Sequence, residues 1–576
     1  MRSRLLVSIL LLGSFVGGSR LAAQVSIAAK GQAVATPNVA GPADTRKATV
    51  DVPQTQGALR LDEIIDRVIA REHEEIAAIS GYSPMIETYI QEMKQDKEMG
   101  AIPKSDFYFL GQADLRERLK VHSSIEHGRK SSLLWSFDPA GFLQMVFIER
   151  DGFDKAHYKF DSVKREFLGD VRCYVFDVYP LPKVRQARFV GRIWVEDQDF
   201  TIVRINGRYA PAVRFSFRTF QDEYYLHFDS WRTNVKSGLW LPSYVYSQEQ
   251  DRPARYSGPR YKSQTRLWGY KLAAGVREQE LSQLLVESQT AIKDNAAQHD
   301  RSPLEAQREW RHEAENNVLD ALERDGLLAP PGEVDKILNT IVNNLEVTNN
   351  LDGQIDLHCR VLLTSSLEMF SVENTIVLSR GLIDVVPNEE TLAALLAHEI
   401  ADAMVPKPYQ DQYAFSDILR LTPTEILKRL SFENEKAETV ANSEKAMELL
   451  KKSPYASNLS KAGLFLAQLH AQAKALKQLI SPRLGNQVFF TSQLLQTAPA
   501  LQPGNKDQIA ALPMGSRVKI DPFSDNASLM KTKAMAPISA REKMPFEVTP
   551  MVPYLMRYIA PTVAAANSTA SVEQHQ

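Results

Sequence analysis

Residues 368–402 read EMFSVENTIVLSRGLIDVVPNEETLAALLAHEIAD, and the rest of the chain is organised around them. Thr375 to Leu378 has the texture of a strand, which leads through Gly381 into an apolar run and a loop holding Pro387 and Asn388. A helix is expected from near Glu389; it includes Leu392, Leu395 and Leu396 and presents His398 and Glu399. In an H-E-x-x-H helix the two histidines sit four apart so that both face one zinc ion, while the glutamate handles protons. Here the fourth position is Asp402.

Upstream, Pro303 to Leu328 carries a helical pattern with Trp310, Val318, Leu319 and Leu322, ended by Gly326 and Pro330-Pro331. Val334 to Val347 is amphipathic again, and Asp356 to Leu363 reads as a strand. The order helix, helix, strand, strand, Gly-Leu, H-E helix resembles metallopeptidase family forty-eight, the HtpX, BepA and CAAX-prenyl-protease group. The frame is kept, while the family's glycine-rich turn before the metal helix is replaced by Val372-Glu373-Asn374. The resemblance implies that His398 is the first metal ligand and Glu399 the general base. It also implies a third ligand, a glutamate fourteen residues ahead of a tyrosine. Matching that tyrosine to Tyr455 puts Ala441 on the ligand and Ser443 on a neighbouring aspartate, so both positions are lost.

Catalytic zinc takes three protein ligands and leaves one position open for water. Only one of the three is kept by type, which points to a degenerate, non-catalytic domain in which Glu399 is a relic and no cofactor is expected. The competing reading is an active zinc metalloendopeptidase with rewired ligands: His398, Asp402, and Glu438 or Glu444, which flank Ala441 three residues either side. Zinc enters only in that second case, and enzyme status stays open between the two.

From about residue 57 the chain differs. Leu61, Ile64, Ile65, Val68 and Ile69 form a helical stripe, and Ile86, Tyr89, Ile90 and Met93 suggest a second helix. After Pro103 come short aromatic and β-branched runs, among them Phe107 to Leu110, Met145 to Ile148 and Tyr174 to Tyr179. The clearest hairpin is Val190 to Val195, a turn at Glu196 to Asp199, and a return over Phe200 to Ile205. The order YVFDVYP, GRIWVEDQDFTIVRINGRY, SWRTNVKSGLWLPSYV resembles the LolA-like lipoprotein-carrier and outer-membrane-lipoprotein-sorting half-barrels. That implies a hydrophobic ligand on the inner face, although Trp194, Phe200, Trp231 and Trp240 read first as core.

Arg2 and Arg4 followed by apolar Leu5 to Phe15 read as a secretory signal, so export to the periplasm or cell envelope is expected. The formal net charge of −2 gives no argument for nucleic acid; envelope proteins or lipoproteins are the expected partners. Cys173 and Cys359 are expected as buried thiols, since a disulfide would need their two domains docked at that point. The expected fold class is α+β and multidomain: an antiparallel β half-barrel with helices, then a mainly α zincin-like domain with a small sheet. The layout is a signal peptide at 1–23, a flexible linker at 24–56, the half-barrel at 57–272 and a linker helix at 273–301. The metallopeptidase-like domain follows at 302–485, then a β-appendage and disordered tail at 486–576.

Overall fold

The computed structural model describes residues 60–558 apart from 98–99, 117–119, 128–138, 150, 182–187, 211–225, 250–259, 272–302, 352–355, 405–425, 427–429, 435, 489–491, 516, 531–538, 541–542 and 544–545. The signal segment, the 24–56 linker, the 273–301 linker helix and the tail from Ala564 lie outside the described residues.

Helix α1, Leu61–Ile79, opens the described chain. Ten strands follow: β1 Met85–Asp96, β2 Gly100–Asp114, β3 Lys120–His127, β4 Tyr158–Leu168, β5 Val171–Pro180, β6 Arg188–Glu196, β7 Ile202–Ala210, β8 Leu226–Lys236, β9 Leu239–Glu249 and β10 Arg260–Trp268, with a short helix α2, Pro139–Gln144, before β4. They form one sheet in the order β3-β2-β1-β10-β9-β8-β7-β6-β5-β4, antiparallel at every step. Strands β3 and β4 remain as edges, so the sheet is open, as a half-barrel is.

Both faces of this sheet are buried over its central strands. On one face α1 lays Ile64, Ile65, Val68, Ile76 and Ile79 against Ile86, Ile90, Phe176, Ile193, Ile205 and Val245. On the other, Met85, Tyr89, Tyr108, Trp194, Trp231, Tyr244 and Trp268 share one continuous core with the C-terminal half. Trp194, Phe200, Trp231 and Trp240 are all core residues.

Two sequence readings need correcting. The stretch around Ile86, Tyr89, Ile90 and Met93 is strand β1 and not a helix. Its apolar residues occupy both sides of a strand whose two faces are covered, and two interleaved period-2 rows imitate a 3.6 period. Met145 to Ile148, expected as a strand, is a turn after α2 whose four side chains all enter the α1-side core. The β6–β7 hairpin stands as read. Its turn is held by the Glu196 carboxylate, which accepts from Gln198 N and Asp199 N at 2.7 Å each.

The C-terminal half runs α3 Pro303–Arg324, α4 Glu333–Thr348, β11 His358–Leu362, β12 Glu368–Val372, β13 Thr375–Ser379, α5 Arg380–Val385, α6 Glu389–Ala403, α7 Lys436–Lys451, α8 Leu459–Gln472, α9 Lys477–Ile480, β14 Asn486–Gln487, α10 Ser492–Gln496, α11 Lys506–Ala510, β15 Val518–Ile520 and β16 Ala527–Leu529. Its small sheet has the order β11-β13-β12-β14, with β11 and β13 parallel and the other pairs antiparallel. Within the expected β-appendage, β15 and β16 pair as an antiparallel hairpin.

Buried polar groups fasten this half to the large sheet. Glu87 of β1 accepts from Tyr108 Oη at 2.7 Å, Ser365 N at 2.6 Å and Ser365 Oγ at 2.7 Å. Asp106 of β2 accepts from Gln478 N at 3.0 Å and Leu479 N at 2.8 Å, and Trp268 Nε1 donates to the Gly326 carbonyl at 2.8 Å. Such groups are tolerated in an interior because they are satisfied. Cys173 and Cys359 are buried free thiols, and among the described residues no helix is long and apolar enough to cross a membrane.

Candidate functional site

The H-E helix is built by local rules. Strand β13 runs into α5 at Ser379, whose Oγ accepts from Leu382 N at 3.1 Å. Gly381 is required there, because a Cβ would lie 2.0 Å from the Ser365 carbonyl oxygen. Asn388 then caps α6, accepting from Thr391 N at 2.9 Å. Tyr455, the anchor of the sequence match, donates its hydroxyl to Glu389 Oε1 at 2.8 Å and accepts from Asn344 Nδ2 at 3.2 Å, so it ties α4 to the start of α6.

His398, Glu399 and Asp402 are all buried on α6. His398 Nδ1 lies 3.4 Å from Glu399 Oε1, and His398 Nε2 has no hydrogen-bond partner. Asp402 is a hub. Its Oδ2 accepts from Ser371 Oγ of β12 at 2.7 Å, and its Oδ1 accepts from Asn434 Nδ2 at 2.8 Å and Asn442 Nδ2 of α7 at 2.7 Å. A carboxylate offers about four lone-pair sites, so three strong donors leave it little capacity for a cation.

Helix α7 presents Asn442, Ser443, Ala446, Met447, Leu449 and Leu450 inward, whereas Ala441 and Glu444 are exposed and Glu438 is half-buried. The structure thus carries His398, Glu399 and Asp402 on one helix and bonds Asn442 of the other to Asp402. Ala441 and Glu444 stand apart. Asn442 Oδ1 and Ser443 Oγ are buried without partners, as is His398 Nε2.

Among the described residues no group of three or more His, Cys, Asp or Glu side chains is placed to hold a metal ion. Among the described residues, one imidazole nitrogen beside an already engaged carboxylate supplies fewer donors than a three-ligand zinc site takes. Ser371, Asn434 and Asn442 had no role in the sequence reading. The signal that points to them is Asp402 itself, since an aspartate on the buried face of a helix needs donors, and Asn442 lies within the stretch matched to the lost ligand.

The second polar cluster lies on the α1 face. Arg232 Nη1 and Nη2 donate to Glu72 Oε2 and Oε1 at 2.8 and 2.7 Å, and both residues are buried. Beside them Arg71 Nη2 donates to Glu75 Oε1 at 2.9 Å. Burial pushes the Glu75 carboxyl up to about 7, against the lowering pull of Arg232 and Arg71. Next to it is a pocket of roughly 240 Å³ that Arg71, Glu74, Glu75, Tyr82 and Lys236 help to line.

No family model and no curated protein matches the chain. Solved structures give distant likenesses. A DUF1329 family protein from Desulfovibrio piger is 10% identical over 37% of this chain and 94% of its own, with a TM-score of 0.18. MucB in complex with MucA(peri) is 9% identical over 38% of this chain and 96% of its own, with a TM-score of 0.13. The Pseudomonas aeruginosa MucA/MucB complex gives 8%, 37%, 96% and 0.14. At superposition scores this low the likeness carries no inference about activity or partner.

Proposed function

We propose that this chain is a non-catalytic binding protein of the cell envelope, with a chaperone-like role on lipoprotein or outer-membrane cargo, built partly on a peptidase-like scaffold that no longer hydrolyses peptides. The observation that carries the reading is the engagement of Asp402 by Ser371, Asn434 and Asn442. Without zinc, no water beside Glu399 is acidified to near neutrality, so the chemistry of an H-E-x-x-H helix has no nucleophile. The envelope location rests on the basic and apolar N-terminal stretch, and the cargo class on the resemblance of the sheet-forming sequence to lipoprotein carriers. A hydrophobic ligand on the α1 face would have to displace α1, whose apolar residues fill that face.

One observation favours a second reading, an active zinc metalloendopeptidase with rewired ligands. His398 Nε2 is a buried imidazole nitrogen with no partner, which is what a metal ligand lacking its metal looks like. Zinc analysis of the purified protein decides between the two. The non-catalytic reading expects less than stoichiometric zinc and casein hydrolysis at the blank rate, unchanged by His398→Ala. Stoichiometric zinc that vanishes in His398→Ala would overturn it.

A further inference from the structure

The stretch Phe546–Tyr558 crosses the second face of the large sheet, the one opposite α1, and the sheet's side chains hold it by its main chain. Gln91 of β1 grips twice: its Nε2 donates to the Phe546 carbonyl, and its Oε1 accepts from Val548 N at 2.8 Å. Tyr244 of β9 does the same, donating its hydroxyl to the Thr549 carbonyl at 3.2 Å and accepting from Met551 N at 3.4 Å. At the β4–β5 turn Asp170 N donates to the Leu555 carbonyl at 2.9 Å, and near the end of β8 Asn234 Oδ1 accepts from Tyr558 N at 2.6 Å.

Charges at the two ends set the direction. Glu547 pairs with Lys262 of β10, and Arg557 pairs with Glu196 and, at 3.2 Å, with Asp197. Phe546, Val548 and Leu555 are buried on the sheet, while Val552, Tyr554, Met556 and Tyr558 alternate with buried or half-buried neighbours and are exposed. The receiving surface is shaped for this approach. Gly169 has φ +65°, and a Cβ there would lie 2.4 Å from the Leu555 carbonyl oxygen.

A segment held through its own carbonyls and N–H groups by Gln, Tyr and Asn side chains is held in a way that tolerates other sequences, which is how extended peptides are bound. Specificity is left to the end charges and to the few buried side chains.

We propose that this face of the sheet is a peptide-binding groove, occupied in cis by the chain's own Phe546–Tyr558 strap. Its ligand in trans is an extended segment of a partner protein with an acidic residue at one end and a leucine two residues before an arginine at the other. The groove deepens the binding role proposed above, and rests on it, by naming the surface and the ligand chemistry. The tether keeps the cis strap at a high effective concentration, so the groove opens only to a partner that outcompetes it or when the strap is released.

The test uses the full chain with a specific protease site inserted between Met544 and Pro545. A fluorescein-labelled synthetic peptide of residues 546–558 is added before and after cutting, and its anisotropy is followed. Saturable binding to the cut chain, about tenfold or more weaker in the uncut chain, is expected. Gln91→Ala and Tyr244→Phe in the cut chain should each weaken binding by about tenfold, and a peptide carrying Leu555→Asp and Arg557→Glu should not bind. A cut chain that loses its melting transition would make the strap part of the core and overturn the proposal. So would a folded cut chain that fails to take up the peptide, or that takes up the altered peptide equally well. None of these outcomes bears on the zinc analysis, so the groove and the non-catalytic reading fail separately.

Discussion

The two faces of the ten-stranded sheet are closed by different physics. Across one, α1 is fastened by Arg232 and Glu72, a bidentate pair buried on both sides. Across part of the other, the Phe546–Tyr558 strap is held chiefly by neutral hydrogen bonds from Gln91, Tyr244 and Asn234 to its backbone. A buried charge stranded by loss of its partner costs far more than a neutral hydrogen bond exchanged for one with water. Releasing α1 would strand a pair buried on both sides, whereas releasing the strap would leave one buried carboxylate, Glu196, that still accepts from Gln198 N and Asp199 N, so the strap is the cheaper cover to exchange.

The largest test of that contrast is Arg232→Met. It leaves Glu72 buried without its partner and should cost about 4 kcal/mol in urea unfolding, while the paired change Glu72→Leu with Arg232→Met should recover most of the loss. A small loss in the single variant would mean that the α1 face is no firmer than the strap.

Next is pH. With its carboxyl at about 7 in the folded chain and 4.5 as the ordinary value, Glu75 keeps its proton longer folded than unfolded. Stability from this group is fully present below about 4.5 and is lost as pH rises through about 7, by on the order of 3 kcal/mol. Glu75→Gln should remove that fall, read as the difference between the two stability profiles from pH 4.5 to 7. Parallel profiles would show that Arg71 and Arg232 hold the carboxylate charged.

Asp402→Ala should cost about 2 kcal/mol, because it strands Ser371, Asn434 and Asn442. Asp402→His restores the letter of the zinc motif. It should destabilise similarly and bring no zinc-dependent hydrolysis; gained activity would reverse the reading of the site. The smallest effect belongs to the strap. Tyr244→Phe should cost about 1 kcal/mol or less globally, yet amide exchange at Val548 and Met551 should rise well before exchange in α1 does.

Much of this arrangement was legible in the residues. The β6–β7 hairpin, Gly326 at the end of α3 and the Asn388 cap of the H-E helix each follow from local chemistry that tertiary contacts do not override. Strand β1 was not legible, because a strand covered on both faces loses its alternation and its apolar residues can be read at helical spacing. The core of the candidate site, His398, Glu399 and Asp402, could be named from a motif. Its defining contacts could not, since Ser371, Asn434 and Asn442 lie 31, 32 and 40 residues from Asp402, and sequence spacing says nothing about donors that distant. The strap was hidden for the same reason: Gln91 and Val548 are 457 residues apart.

Strand β1 also bears on how such a gene can change. Met85 and Tyr89 belong to one core and Ile86 and Ile90 to the other, and Glu87 between them is bonded to Ser365 of the C-terminal half. A gene split in the 272–302 interval would yield two polypeptides that each carry a bare apolar wall, with a carboxylate on one and a serine on the other left without partners. Each piece alone would turn that wall to water. Recombination would have to move the two halves together, and the union of the large sheet with the C-terminal half, once made, is hard to undo.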